Sequence, residues 1–564
     1  MTETNAQAGV DSALSTPGNE WWRSAVIYQI YPRSFADANG DGVGDLQGIT
    51  AHLSDLEELG IDAIWLSPFM RSPQKDAGYD VTDYCEVDPL FGTLADFDAM
   101  LAEAHSRGIR VIVDLVPNHS SDQHAWFQDA LAAAPGSAAR ARYMFREGKG
   151  EHGELPPNNW ESVFGGPAWT RITEADGNPG QWYLHLFDSS QPDFDWTNPE
   201  VWEEFRRILR FWLDRGVDGF RVDVAHGMIK ADGLPDYIAP VDGGSMGGEQ
   251  DNVPYWGQDG VHDVYRDWHK VLAEYDGERA LCGEAWMPTV QEMALWVRPD
   301  EMQQTFNFAY LMSNWDAAEQ RAVIAESIAA FDEVGAPSTW VLSNHDVVRH
   351  ASRLALTAEN PQGHGIGPKS SGKPIAELGL RRARAATTLM LSLPGSSYLY
   401  QGEELGLPEA VELPDEARQD PTWFRTNGER YGRDGCRVPL PWTADASTAF
   451  GFNNTGAAWL PQPSEWASLA REVQEDDPAS TLSLYRRLLA LRRQYSLGTG
   501  SVEWLEGWGD DTVALRNGAV HVISNLGNEP LDLGRLGEIR VLVSSIPLDG
   551  TLLPSDATVW FERG

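Results

Sequence analysis

Eight short apolar runs recur along the chain with helical stretches between them, and this alternation restricts the fold more than any other feature of the sequence. The runs fall at 27–35, 63–68, 110–116, 219–225, 281–286, 305–310, 339–346 and 397–402. Parallel strands must be joined by a crossover of a dozen or more residues, usually a helix. Strand and helix repeating in one order therefore predict parallel β/α units. Eight such units predict an α/β chain closed into a (β/α)₈ barrel. The connecting stretches support this. The segment 94–108 places Leu94, Phe97, Leu101 and Ala104 on one helical face, 52–60 ends at a glycine, and Asn198-Pro199 opens a helix that runs to Gly216.

One spacing breaks the pattern. From Asp114 to Asp223 is 109 residues, about twice a β/α unit, and the excess at 120–195 is rich in Gly, Pro, Asn and aromatics. It is expected to be a subdomain inserted after the third strand. Past the helical pattern at 482–491 the chain turns to short strands broken by turn residues, which predicts a small all-β C-terminal domain. The expected division is a flexible tail over 1–20, a barrel over 21–119 and 196–498, the insert over 120–195 and the β domain over 499–564.

With 84 acidic against 43 basic residues, the formal charge is −41. Such a surface repels phosphate backbones and anionic lipid, so neither nucleic acid nor membrane is the expected partner. A neutral substrate fits. Cys85, Cys282 and Cys436 are too few and too far apart for a disulfide framework or a cysteine metal site. No stretch of about 20 apolar residues occurs, and the N-terminus lacks the basic start and apolar core of a signal peptide. A soluble cytoplasmic protein is expected, as a monomer or small homo-oligomer. Twenty-three tryptophans supply core rings and could line a carbohydrate pocket.

Barrel active sites lie at the C-terminal strand ends. Those ends carry Asp114 through Asn118-His119, then Arg221 and Asp223, then Glu284, then His345-Asp346. A lone acid at such a place reads as a cap or a solvated side chain; acids on successive strands do not. Arg221 and Asp223 sit two apart in a Val/Phe run, so a strand points both the same way. A buried arginine there would hold Asp223 as a carboxylate. Two flanking carboxyl groups, one nucleophile and one proton donor, are what glycosidic cleavage requires. A third carboxylate can stabilise the oxocarbenium-like charge.

The motifs DLVPNH (114–119), GFRVDVAHG (219–227), GEAW (283–286) and SNHD (343–346) together resemble the α-amylase family of glycoside hydrolases. QPDFDW (191–196) resembles the added motif of its α-glucosidase and oligo-1,6-glucosidase branch. The resemblance spans most of 21–500. It implies a TIM barrel with an inserted B domain and a C-terminal β domain. It further implies Asp223 as nucleophile, Glu284 as general acid/base and Asp346 as transition-state stabiliser. His119, Arg221 and His345 match positions that bind the first glucose, and Asp76, Tyr79, Phe187, Gln191 and Arg437 match the pocket floor. Asp76 and Arg437 are expected to grip a terminal hydroxyl and close the pocket. Val224 resembles the branch that accepts α-1,6 linkages, while Ala225-His226-Gly227 and DFDW depart from the best-known members. The implied activity is a retaining, exo-acting α-glucosidase on small neutral α-glucosides such as maltose, isomaltose or sucrose. The alternative is a glucosyltransferase or isomerase that hands the same glucosyl-enzyme to a sugar.

Residues 37–45, DANGDGVGD, place oxygen ligands at alternating positions with glycine sixth, like the first part of a calcium loop. Gly48 stands where the helix-loop-helix motif needs glutamate, which excludes that motif. The loop resembles the metal loop of the same glucosidase branch, implying Asp37, Asn39, Asp41, Asp45 and the Val43 carbonyl as ligands for structural Ca²⁺, or alternatively Mg²⁺. No organic cofactor is expected.

Overall fold

The computed structural model describes residues 20–238, 253–361 and 363–563; the expected tail at 1–20 lies outside them except for its last residue. Eight parallel strands form the centre: β1 (Val26–Ile30), β2 (Ala63–Leu66), β3 (Arg110–Leu115), β4 (Gly219–Val222), β5 (Ala280–Gly283), β6 (Gln304–Thr305), β7 (Thr339–Val341) and β8 (Ser396–Tyr400). Their order is β6-β5-β4-β3-β2-β1-β8-β7. A parallel bridge from Phe306 to Thr339, with Asn307 N–H donating to Thr339 O at 2.9 Å, joins the two ends and closes the barrel. Every residue of β1, β2, β4, β5 and β8 is buried, as expected for parallel strands covered on both faces.

The strands are shorter than the apolar runs, and the residues left over have definite jobs. The run 27–35 stops at Ile30 because Pro32 opens a 3₁₀ turn over Pro32–Ser34. The run 305–310 is a strand only to Thr305. The Asn307 side chain then accepts from Tyr310 N–H and caps a helix over Phe308–Met312. The helix Pro199–Arg215 forms as the sequence suggests. Asn198 caps it, Pro199 occupies its first turn, and Gly216 ends it with φ of 104°, where a side chain would be strained. Its Val201, Phe205, Ile208, Leu209, Trp212 and Leu213 are buried against the barrel.

Between β3 and β4 the chain leaves the barrel. It makes a three-stranded antiparallel sheet of Phe145–Arg146, Pro179–Leu184 and Trp169–Thr173, in that order. The excursion returns to where it began: Asp193 bridges to His119, and Phe194 N–H donates to Asn118 O. At the C-terminus, five antiparallel strands run in the order Val502–Trp504, Thr512–Asn517, Val520–Asn525, Ala557–Arg563 and Ile539–Ser544. This sheet is fixed to the barrel helix Ala376–Met390. The Trp560 indole donates to Thr388 O at 2.9 Å and the Thr558 hydroxyl to Ala385 O at 2.9 Å. Among the described residues no helix is long and apolar enough to cross a membrane.

Candidate active site

The strand register creates the centre of the site. Arg221 on β4 pairs with Asp114 on β3 and Cys282 on β5. The ladder continues one step past β4: Asp223 N–H donates to Leu115 O at 2.8 Å, and Glu284 N–H to Val222 O at 3.0 Å. This sets Asp223 and Glu284 side by side at adjacent strand ends. Arg221, 1 % exposed, then serves three carboxylates. Its Nη1 donates to Asp223 Oδ1 at 2.7 Å and to Asp114 Oδ1 at 3.0 Å, and its Nη2 to Glu284 Oε2 at 2.6 Å. The Trp65 ring lies 4.9 Å beneath the guanidinium, and its indole N–H donates to Asp114.

One cation against three buried carboxylates leaves an excess of negative charge, which favours the protonated forms of Asp114 and Asp223. Burial raises Asp114 to about 7 against the pull of Arg221. Asp223 departs from the sequence expectation. Arg221 does pull it down, but burial is the larger influence, and with Glu284, Asp114 and Asp346 nearby the net direction is upward. Glu284 Oε2 also accepts from Val224 N–H at 3.1 Å. Among the described residues its Oε1 has only the Trp286 indole at 3.2 Å, leaving it the oxygen better placed to carry a transferable proton. The Val224 contact is made with φ of 43°, a left-handed conformation that costs a β-branched residue on the order of 1–3 kcal/mol.

Asp346 follows β7. Burial alone would raise it, but the charges of Arg433, Arg437 and Arg221 hold it well below the usual carboxylate range. Arg437 Nη2 donates to its Oδ1 at 2.8 Å and Arg433 Nη1 to the same oxygen at 3.1 Å. His345 is kept neutral by burial. Its Nδ1 accepts from Gln29 at 2.7 Å, its Nε2 meets the Tyr79 hydroxyl at 2.5 Å, and its ring stacks on Tyr79 at 5.3 Å. His119 is likewise lowered by burial, to about 4.

A pocket opens above these groups. It is lined by Asp223, Glu284, Asp346, Asp76, Tyr79, His119, Phe187 and Val224, together with Val163, Phe164, Gly363, Thr422 and Arg433. Of the residues singled out from sequence, Gln191 lies just behind the wall, its amide donating to Asp76 Oδ2 at 3.1 Å.

Arg437 is a correction. It does not pair with Asp76 but turns to Asp346 and the His345 carbonyl. The partner of Asp76 is Arg433, whose Nη2 donates to Asp76 Oδ1 at 2.8 Å. Arg433 is in turn anchored by the buried Asp420, which accepts from its Nε at 2.6 Å. Sequence reading missed both Arg433 and Asp420. GRDGCR at 432–437 offers two arginines four residues apart, and a 3₁₀ turn at Asp434–Cys436 decides which one reaches across the pocket.

The acidic loop at 37–45 follows the 3₁₀ turn that ends β1. The Asp37 carboxylate accepts from Gly40 N–H and Gly42 N–H, Asn39 from Asp41 N–H, Asp41 from Val43 N–H, and Asp45 from Ala38, Asn39 and Gly48 N–H. Asp37 and Asp45 are 5 % and 4 % exposed, and neither forms an ion pair among the described residues. Burial, and then the charge of Asp37, raise Asp45. Two adjacent buried carboxylates without a cation suit a bound metal ion. Among the described residues, however, no group of three or more His, Cys, Asp and Glu is gathered to hold one. A cation here would need Asn39 and the Val43 carbonyl as well.

Residues 29–500 match the family model described as the alpha amylase catalytic domain. The chain is 39 % identical over 535 residues to a probable alpha-glucosidase of Rhizobium meliloti, covering 92 % of this chain and 91 % of that protein. It is 35 % identical over 511 residues to the oligo-1,6-glucosidase of Parageobacillus thermoglucosidasius, covering 85 % and 84 %. The crystal structure of the alpha-glucosyl transfer enzyme XgtA superposes with a TM-score of 0.82 at 35 % identity, covering 96 % of this chain and 100 % of that one.

Proposed function

This chain belongs to the α-amylase family of glycoside hydrolases, and we propose that it is a retaining α-glucosidase that removes glucose from the non-reducing end of short, neutral α-glucosides. The observation that carries this reading is the sharing of Arg221 between Asp223 and Glu284 at the floor of a pocket crossed by the Arg433–Asp76 pair. Bonding to the two ends of one guanidinium favours the close carboxyl spacing of about 5–5.5 Å used in retention over the wider gap inversion needs for a water.

The residues act as follows. The Asp223 carboxylate attacks the anomeric carbon as the glycosidic C–O bond breaks, and Glu284 gives its proton to the departing oxygen. Asp346, held as a carboxylate by its two arginines, faces the positive charge of the transition state. The Glu284 carboxylate then takes a proton from water, whose oxygen attacks the same carbon and releases Asp223. His119 and His345, both neutral, offer hydrogen bonds to sugar hydroxyls without adding charge. The transfer reading differs only in the acceptor, and the likeness to a glucosyl transfer enzyme supports some transfer to sugars. Val224 lies in the cavity wall beside the nucleophile, and its resemblance to the branch that accepts α-1,6 linkages supports use of that linkage. Three free cysteines fit a reducing, cytoplasmic setting.

A product time course on maltose, isomaltose, sucrose and trehalose tests the activity. The expected result is glucose of α configuration from the first two, with transfer products rising only at high sugar concentration. Product of β configuration would rule out the retaining assignment.

Asp114 gives a pH prediction. As pH rises through about 7 it loses its proton and competes with Asp223 and Glu284 for Arg221, and kcat/KM should fall. Asp114→Asn cannot ionise. Its alkaline limb is expected to move upward by about one unit or more. An unmoved limb would show that Asp114 is not coupled to the acid.

We also propose that the 37–45 loop takes a structural divalent cation, with Asp37, Asn39, Asp41, Asp45 and the Val43 carbonyl as its ligands. Its role would be to neutralise the two buried carboxylates. Metal analysis of the purified protein should find about one Ca²⁺ or Mg²⁺ per chain, and chelation should lower Tm by several degrees. No bound metal and an unchanged Tm would remove this assignment.

A further inference from the structure

The segment following β8 does more than deliver Arg433. Between Asp420, which caps the short helix Pro421–Arg425 through Thr422 N–H, and Arg433, which Asp420 also holds, Arg425 reaches to the insert. Its Nε and Nη2 donate to Gly165 O at 2.8 and 2.6 Å, and its Nη1 lies 3.4 Å from Asp188 Oδ2. Gly165 belongs to a tight turn closed by Ser162 N–H to Gly166 O, with φ of 101° at Gly165 and 77° at Gly166. That turn carries Val163 and Phe164 into the cavity wall, opposite Thr422 and Arg433 from the segment itself. The Arg433 guanidinium lies 5.0 Å over the Phe164 ring. Two arginines of one segment thus hold the insert's wall against the loop after β8.

Barrel order shows which side is shut. The insert leaves β3 and the segment leaves β8, and between these strands lie only β2 and β1. The contact therefore spans the rim above β1 and β2. Asp223 and Glu284 stand on β4 and β5, beyond β3 on the other side. The proton donor must face the leaving group, so the leaving group exits on the β4–β5 side and the closed side is the one toward the non-reducing end. We propose that Arg425 is a positioning residue that makes the pocket blind at its non-reducing end, and so confines the enzyme to terminal glucose. This rests on the α-glucosidase reading. Arg425 touches no reacting atom; it fixes the wall that excludes a second sugar.

The test compares p-nitrophenyl α-glucoside with p-nitrophenyl α-maltoside blocked at its non-reducing 4- and 6-hydroxyls. Releasing p-nitrophenol from the blocked maltoside requires room for a sugar beyond the reacting one. Arg425→Ala is expected to raise the blocked-to-unblocked kcat/KM ratio at least tenfold, and Arg425→Lys, which can still donate to Gly165 O, to stay near the parent ratio. A purely structural role would lower both rates together and leave the ratio unchanged, which would overturn the proposal. Asp188→Asn, which weakens the same clasp without removing the arginine, should shift the ratio in the same direction by a smaller factor and serves if Arg425→Ala is poorly folded; no shift in it would then overturn the proposal. If the parent protein fails to cleave p-nitrophenyl α-glucoside, the underlying glucosidase reading falls, an outcome distinct from an unmoved ratio.

Discussion

Asp223→Asn is expected to reduce kcat on p-nitrophenyl α-glucoside by about 10⁴-fold or more while leaving the fold intact. The amide is the same size, and its oxygen can still accept from Arg221 Nη1, now 2.7 Å from Oδ1. What disappears is the anionic oxygen that forms the glucosyl-enzyme. Activated leaving groups do not rescue this variant, because both displacement steps use Asp223. The substitution also removes a negative charge from a crowded cluster of buried carboxylates, so stability should be unchanged or raised. A purified Asp223→Asn protein with near-parental turnover would eliminate Asp223 as nucleophile, and with it the present mechanism.

Arg433→Ala carries the second large effect, and it separates the observed pocket from the one expected from sequence. Arg433 bonds Asp76, Asp346 and Asp420, of which Asp76 and Asp420 are 3 % and 2 % exposed. Removing the cation strands these carboxylates, a change that costs about 3–5 kcal/mol for a buried pair. We expect that loss in denaturant unfolding, together with a fall in kcat/KM of about 10²-fold or more, since binding of the terminal glucose loses its wall. The pH dependence has a definite sign. Asp420 is held down to about 2, mainly by Arg433 acting against burial. A depressed carboxylate contributes stability above its unfolded value and loses it as pH falls through the folded one. The gap between parent and variant should therefore be largest near neutral pH, where both stranded groups would be ionised, and narrow as pH falls toward 2. Arg437→Ala leaves the Asp76–Arg433 pair in place and should act chiefly on kcat through Asp346. If Arg437→Ala instead raised KM for the terminal glucose more than Arg433→Ala, the assignment of the gripping arginine would be reversed.

Much of this architecture is legible in the residues. The barrel follows from repetition, because a buried parallel sheet leaves an apolar run at every strand and a crossover between runs. Asp223, Glu284 and Asp346 stand out because an acid at the end of an apolar strand conflicts with its surroundings unless it has work to do. Helix ends such as Asn198-Pro199 and Gly216 are local chemistry and are read locally. Strand lengths were less legible. At 305–310 the alternation looks extended, but a single asparagine cap turns the last residues into a helix.

The sequence by itself determined the strand–helix order and the acids at the strand ends, since each depends on neighbours in the chain. Only the tertiary structure decided how charge is shared: that Arg221 serves three carboxylates, that Asp223 is pushed upward despite it, and that Arg433 rather than Arg437 meets Asp76. Apart from the Arg221–Asp223 bond, these depend on bonded groups 63 to 357 positions apart meeting at low dielectric. There, burial and distance set the balance of charges, and neither is written in local sequence.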